Sequence, residues 1–185
     1  DGRFHGTVTL RSALGNSINI PAVKVLNQIG IGTFVDLGRS LGLTSLKDEE
    51  NYGLSLTLGA PEVKMSEMAV VFGTLANQGN RVDLNPILKI TNHQGSVIEE
   101  KVELKQRRVL PQEIAFIISD ILSDNNARRQ EFGLNSPLVI PGHKVSVKTG
   151  TTDNKRDNWT IGFTPNVLVA VWVGNNDNTP MNPTL

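Results

Sequence analysis

Three strand-like runs close the chain: Lys144 to Gly150, Asn158 to Thr164 and Val167 to Gly174. Only "TPN" separates the last two, which makes them antiparallel neighbours joined by a tight reversal. This tail restricts the fold most, because what precedes it has a different period. Thr9 can cap a short helix through Leu14, and Pro21 suits the first turn of a second helix ending near Gly30. The link between them, "GNSIN" from Gly15 to Asn19, is turn-like. A third helix runs from about Thr33 to Leu41 and stops at Gly42. A fourth opens with Ser66 as its cap, presents Met68, Val71, Phe72 and Leu75 on an apolar face, and leaves at Gly79. "PILKITNHQGSVIEE", Pro86 to Glu100, reads as a hairpin around His93–Gly95. Pro111 introduces a helix from Gln112 to about Leu122, with Ile114, Ile117, Ile118 and Ile121 on one side. Helices followed by strands give an α+β class, an antiparallel β-sheet flanked by helices in one domain.

Several chemistries are excluded early. Lys and Arg together number 18, as do Asp and Glu, so no basic face marks a nucleic-acid partner. With zero Cys there is no disulfide or thiolate chemistry. His5, His93 and His143 lie far apart without metal-ligand spacing and read as surface or loop residues. The longest apolar run, Val167 to Val173, is too short to span a membrane.

The first strand of the tail ends Lys148-Thr149-Gly150-Thr151-Thr152. Alternation places Val145, Val147 and Thr149 on one side and Ser146, Lys148 and Gly150 on the other. A glycine there removes the side chain that would keep a ligand off the strand. Lys148 supplies positive charge beside such a ligand, Thr149 and Thr151 offer hydroxyl donors, and the Thr151 backbone N–H can serve as one arm of an oxyanion hole. A solvent-facing edge strand would carry the same residues idly. The other pattern is Ser17-Ile18-Asn19, a turn that can present a proton-shuttling hydroxyl and a carbonyl-binding amide into a cleft. A second copy, Ser123-Asp124-Asn125, falls where the Gln112 helix ends and is assigned to helix termination.

Taken together, the early S-x-N turn and the late K-T-G strand resemble the penicillin-binding transpeptidases, in the superfamily that includes the serine β-lactamases. "VTLRSALGNSINIPAVKVL", "LTLGAPEVKMSEMAVVFGTLANQG" and "VKTGTTDNKRDNWTIGFTPNVLVAVWVGNND" carry the likeness, which extends over essentially the whole chain. The style is closest to the bifunctional enzymes that join a transpeptidase to a glycosyltransferase. The resemblance implies a β-lactamase/transpeptidase-like fold, present in part, with peptidoglycan stem peptides as substrate and β-lactams as mimics. Ser17 would pass protons, Asn19 would hold the donor amide, and Lys148 would keep the local field positive. Thr149 and Thr151 would receive the carboxylate beside Gly150, with Thr152 and Asp157 shaping the strand and loop. Trp159 and Trp172 would be core or cleft-wall aromatics. No metal or organic cofactor is implied, and a membrane enters only through an upstream anchor on the extracytoplasmic face of a bacterial membrane. A serine β-lactamase and a non-catalytic β-lactam sensor remain as rivals.

One family element is missing. The nucleophile belongs to S-x-x-K, and none of the chain's serines has a lysine three residues on. Thr44 with Lys47 and Thr152 with Lys155 have the spacing but put threonine first. The chain is therefore expected to be the C-terminal part of such a domain. Its N-terminal remainder would bear the nucleophile, and the isolated chain would be inactive.

Overall fold

The computed structural model describes residues 6–101 and 104–182, which leaves His5 outside the described residues. Thr9 caps α1 (Leu10–Gly15) by accepting the Ser12 N–H at 3.2 Å. Pro21 sits in the first turn of α2 (Asn19–Ile29), where its missing N–H breaks no helical bond. The link between the two helices is thus shorter than Gly15–Asn19, with only residues 16–18 outside them. Helix α3 (Ile31–Leu41) begins two residues before Thr33, because Gly30, at φ 87, reverses the chain in a single step. Leu26, Val35, Leu46 and Leu56 form a buried cluster against these helices, with Phe34 and Tyr52 packed on it.

Helix α4 (Met65–Ala76) departs from expectation at its start and in its face. Its cap is Lys64, without a side-chain bond, and Ser66 lies exposed within the first turn. The buried line is Glu67, Val70 and Thr74, while Met68, Val71, Phe72 and Leu75 are half-buried. The helix is covered from two directions, by the C-terminal sheet and by α3 and α5. The centre of its buried arc therefore falls between the two flanks. Glu67 accepts the Thr44 hydroxyl at 2.6 Å, the Ser45 N–H at 3.1 Å and the Ser45 hydroxyl.

Gly79, at φ 89, turns the chain from α4 into β1 (Asn80–Val82). Its carbonyl accepts the N–H of Val109 at 2.9 Å, just beyond β4 (Gln106–Arg108), the antiparallel partner of β1. A side chain at Gly79 would strike the Leu110 carbonyl. The intervening hairpin, β2 (Lys89–Thr91) with β3 (Val97–Glu100), lies where the sequence placed it and is exposed throughout.

Helix α5 (Gln112–Ser123) buries Ala115, Ile121 and Leu122, whereas Ile114 and Ile117 remain 46% and 49% exposed. The expected isoleucine face is thus split: Ile121 is buried and Ile118 half-buried, while Ile114 and Ile117 face outward. The Ser119 carbonyl accepts the Ser146 hydroxyl at 2.7 Å from the sheet. Such close approach needs small residues, Ala115 and Ser119, at the contact, which directs Ile114 and Ile117 outward. After a short α6 (Arg129–Phe132), strands β5 (Ser146–Thr151), β6 (Asp157–Phe163) and β7 (Leu168–Gly174) form one antiparallel sheet in that order. Strand β5 starts at Ser146 rather than Lys144, since Lys144 reaches instead to Asp120 at 2.9 Å. Phe72 of α4 meets Phe163 of β6 edge-on, with centroids 6.0 Å apart. The α+β class expected from the sequence is the class observed.

Burial alone would raise the Glu67 carboxyl, but the hydrogen bonds from Ser45 and Thr44 outweigh it and hold the group below the ordinary value. Its contribution to stability is therefore complete above the ordinary carboxyl value and is lost as pH falls through the lower folded value. Glu67→Ala should cost about 1–3 kcal/mol at neutral pH, since it strands the Ser45 and Thr44 donors. Urea unfolding of both proteins at neutral and acidic pH should show the gap narrowing in acid.

Candidate active site

The two sequence patterns meet in space. Lys148 Nζ donates to Ser17 Oγ at 2.7 Å across 131 residues of chain, and to the Thr149 carbonyl at 2.6 Å. Ser17 stands on the turn from α1 to α2 in a left-handed conformation, φ 57, which is uncommon for a residue with a Cβ. The turn is closed by Ser17 N–H to Leu14 O at 3.2 Å and Ile18 N–H to Ala13 O at 2.9 Å. The hydroxyl is thereby presented to the lysine instead of capping a helix.

Lys148 is half-buried in mid-strand, and among the described residues no carboxylate forms an ion pair with it. Burial lowers its pKa from the ordinary lysine value. The result is a lysine whose charged form is disfavoured by burial and which lies in direct contact with a hydroxyl, an arrangement suited to proton transfer.

The other candidates are placed as follows. Gly150 shares the Lys148 side of β5 and pairs with Trp159. A Cβ at Gly150 would meet only the Trp159 Cβ, at 3.9 Å, an ordinary contact. The fold therefore does not require glycine there. Thr149 and Thr151 lie on the opposite side of β5, and Thr151 Oγ1 accepts a bond from the Asn158 amide at 3.3 Å. Asn19 is the first residue of α2; its side chain is exposed and has no hydrogen-bond partner among the described residues. Thr152 and Asp157 close the loop after β5. The Thr152 hydroxyl donates to Asp157 Oδ2 at 3.1 Å and accepts the Asp157 N–H at 2.8 Å, while Trp172 Nε1 donates to Asp157 Oδ1 at 2.9 Å. Trp159 and Trp172, partners across β6 and β7, are half-buried.

Two open hollows among the described residues lie elsewhere. One, of about 350 Å³, is lined by residues that include Thr9, Arg11, Asn16 and Arg129; the other, of about 280 Å³, includes Arg11, Asp120 and Lys144. Neither includes Ser17 or Lys148. Among the described residues, no group of three or more His, Asp or Glu could hold a metal ion, and no helix is long and apolar enough to cross a membrane.

Comparison with known proteins gives the family. The penicillin binding protein transpeptidase domain matches residues 1–182. The chain belongs to that family. Penicillin-binding protein 1A of Aquifex aeolicus is 34% identical over 178 residues, covering 94% of this chain and 23% of the relative. PonA1, a penicillin-binding protein of Mycobacterium tuberculosis, superposes with TM-score 0.82 at 21% identity, over 97% of this chain and 51% of its own. The D,D-transpeptidase domain of a peptidoglycan glycosyltransferase from Eggerthella lenta gives 0.73 at 21%, over 92% and 49%. The chain thus spans about a quarter of the length of the Aquifex relative. At these identities the two superpositions establish a shared fold.

A desolvated lysine with no counter-ion among the described residues works against stability. Replacement by an apolar residue of similar length, Lys148→Met, should keep or raise stability by about 1–2 kcal/mol near neutral pH. Because the folded pKa lies below the unfolded one, the unfolded chain binds more protons between them, so wild-type stability rises with pH through that window. The advantage of Lys148→Met should shrink as pH approaches the ordinary lysine value of 10.5, which denaturant unfolding at a series of pH values would measure.

Proposed function

We propose that this chain is the C-terminal part of a peptidoglycan D,D-transpeptidase domain acting through a serine acyl-enzyme. The 2.7 Å contact between Lys148 Nζ and Ser17 Oγ carries the reading, because it joins the serine of S-x-N to the lysine of K-T-G. The donor is a stem peptide ending in D-Ala-D-Ala. A serine outside these 185 residues attacks the penultimate carbonyl; the C–N bond breaks, terminal D-Ala leaves as an amine and an ester remains. An amine from a second stem then attacks the ester, the C–O bond breaks, and the serine recovers its proton as the cross-link forms. Ser17, backed by Lys148, delivers the proton to the departing amine and takes one from the attacking amine. Asn19 holds the donor amide, Thr149 and Thr151 the terminal carboxylate beside Gly150, and the Thr151 N–H the oxyanion. β-Lactams imitate the donor and remain as slow esters.

Two observations support an N-terminal remainder that supplies the nucleophile. No serine of the chain has a lysine three residues on. Among the described residues strand β7 stands at an edge of its sheet, and its Val169, Val171 and Val173 are 55%, 45% and 54% exposed, a face and an edge that another segment can cover and pair. The whole protein pairs this domain with a glycosyltransferase and works at the extracytoplasmic face of a bacterial membrane, anchored by a segment outside this chain.

Labelling with a fluorescent penicillin tests this. The full-length protein should form a lasting adduct and cross-link lipid-linked precursor. Ser17→Ala or Lys148→Ala should slow acylation about a hundredfold or more, and the 185-residue chain alone should take no label. Release of the adduct within seconds would make the protein a β-lactamase, and a lasting adduct without cross-linked product would make it a sensor. Labelling of the isolated chain would place the nucleophile inside it.

A further inference from the structure

Ser17 does not hold its own geometry. A residue with a Cβ adopts a left-handed backbone only when its surroundings compel it, and the compelling group here is the residue before it. Asn16 is 7% exposed, and every polar atom of its side chain is engaged. Its Nδ2 donates to the Ala127 carbonyl at 2.6 Å and the Ser12 carbonyl at 2.9 Å, with the Ser12 hydroxyl at 3.3 Å. Its Oδ1 accepts the N–H of Glu131 at 3.1 Å. The turn that presents Ser17 is thereby fastened to a loop more than a hundred residues later in the chain.

The loop has bonds of its own. Asp124 Oδ1 accepts the N–H groups of Asn126 and Ala127 at 2.9 and 3.1 Å. Arg128, 3% exposed, donates to the Leu122 carbonyl at 2.7 Å, so the loop is tied to the end of α5. The neighbouring residue allows the close fit: a Cβ at Gly15 would stand 3.0 Å from the Ala127 carbonyl carbon and 3.1 Å from its oxygen and Cβ. A methyl group there would push the turn off the loop and lengthen the Asn16 bonds.

We propose that Asn16, seated by Gly15 against Ala127, is a positioning residue that fixes the Ser17 hydroxyl within reach of Lys148 and so governs the proton-transfer step. The proposal rests on the reading of Ser17 and Lys148 as the proton-handling pair. It adds that the loop of residues 124–131, remote from both motifs in sequence, belongs to the catalytic frame. A misplacement of about 1 Å at such a pair is worth about a hundredfold in rate.

The test is a double-mutant cycle on the full-length protein, read as the second-order rate of acylation by a fluorescent penicillin. Asn16→Ala should slow acylation about 10–100-fold. In a Ser17→Ala background the same change should slow it less than about threefold, because the group it positions is already gone. Asn77→Ala is the control: it removes a bond from the Asn77 amide to the Asn80 carbonyl, 3.1 Å, at the end of α4, outside both the turn and the loop of residues 124–131. It should lower the melting temperature comparably and leave acylation unchanged. If Asn16→Ala does not fold, Asn16→Asp, which keeps the acceptor for Glu131 and loses the donors to Ala127 and Ser12, takes its place. Equal losses in both backgrounds, or no loss with Ser17 present, would overturn the proposal. An unaltered rate for Ser17→Ala alone would instead remove the reading of Ser17 on which it stands.

Discussion

A lysine ammonium drawn partly out of water, with a hydroxyl and a carbonyl as partners in place of a carboxylate, is the constraint around which this chain is arranged. Such a group weakens the fold, because burial disfavours its charge and no described ion pair restores it. Everything near it must therefore be rigid for other reasons. The sheet supplies one part: β5 is held along its whole length by β6, and β6 by β7, so Lys148 leaves from a fixed point. The turn at Ser17 supplies the other, and its unfavourable backbone conformation is held by bonds outside the pair itself.

Between these parts lies a belt of charge. Arg11 of α1 reaches Asp120 and Asp124 at 2.8 and 3.0 Å, and Lys144, just before β5, reaches Asp120 at 2.9 Å. Hydrogen bonds from Lys144 and Arg11 hold the Asp120 carboxyl below its ordinary value. These side chains are partly exposed, so each pair adds little stability. Their value is geometric: α1, α5 and the root of β5 are kept in register, and those three elements determine where Ser17 and Lys148 stand. At the far end of β5, Asp157 gathers Thr152 and Trp172 and directs the chain back into β6.

Elements bounded by local chemistry were legible in the sequence. The Thr9 cap, the hairpin of residues 86–100, and the three closing strands with their Thr164–Asn166 reversal all follow from neighbours a few residues apart. The ribbon of β1 and β4 was not, because Asn80–Val82 and Gln106–Arg108 are three-residue, mostly polar segments whose pairing is decided across the molecule. The buried faces of α4 and α5 depart from the apolar pattern for a related reason. Counting large apolar residues finds a hydrophobic side, but the buried side of α5 is where Ala115 and Ser119 permit close contact, and that of α4 lies between two covers. Asn16 gave no signal, since a turn asparagine is unremarkable until its distant partners are known.

The sequence by itself determined the α+β class, the antiparallel tail and the identity of the two motifs, since periodicity, turn residues and short patterns are local properties of a chain. It also determined that no serine here stands in S-x-x-K. It takes the folded chain to show that Ser17 meets Lys148 and that the Asn16 side chain next to it is bonded to Ala127 and Glu131 of the loop after α5. Those are contacts between residues more than a hundred positions apart, and it is packing that brings them within reach of a hydrogen bond.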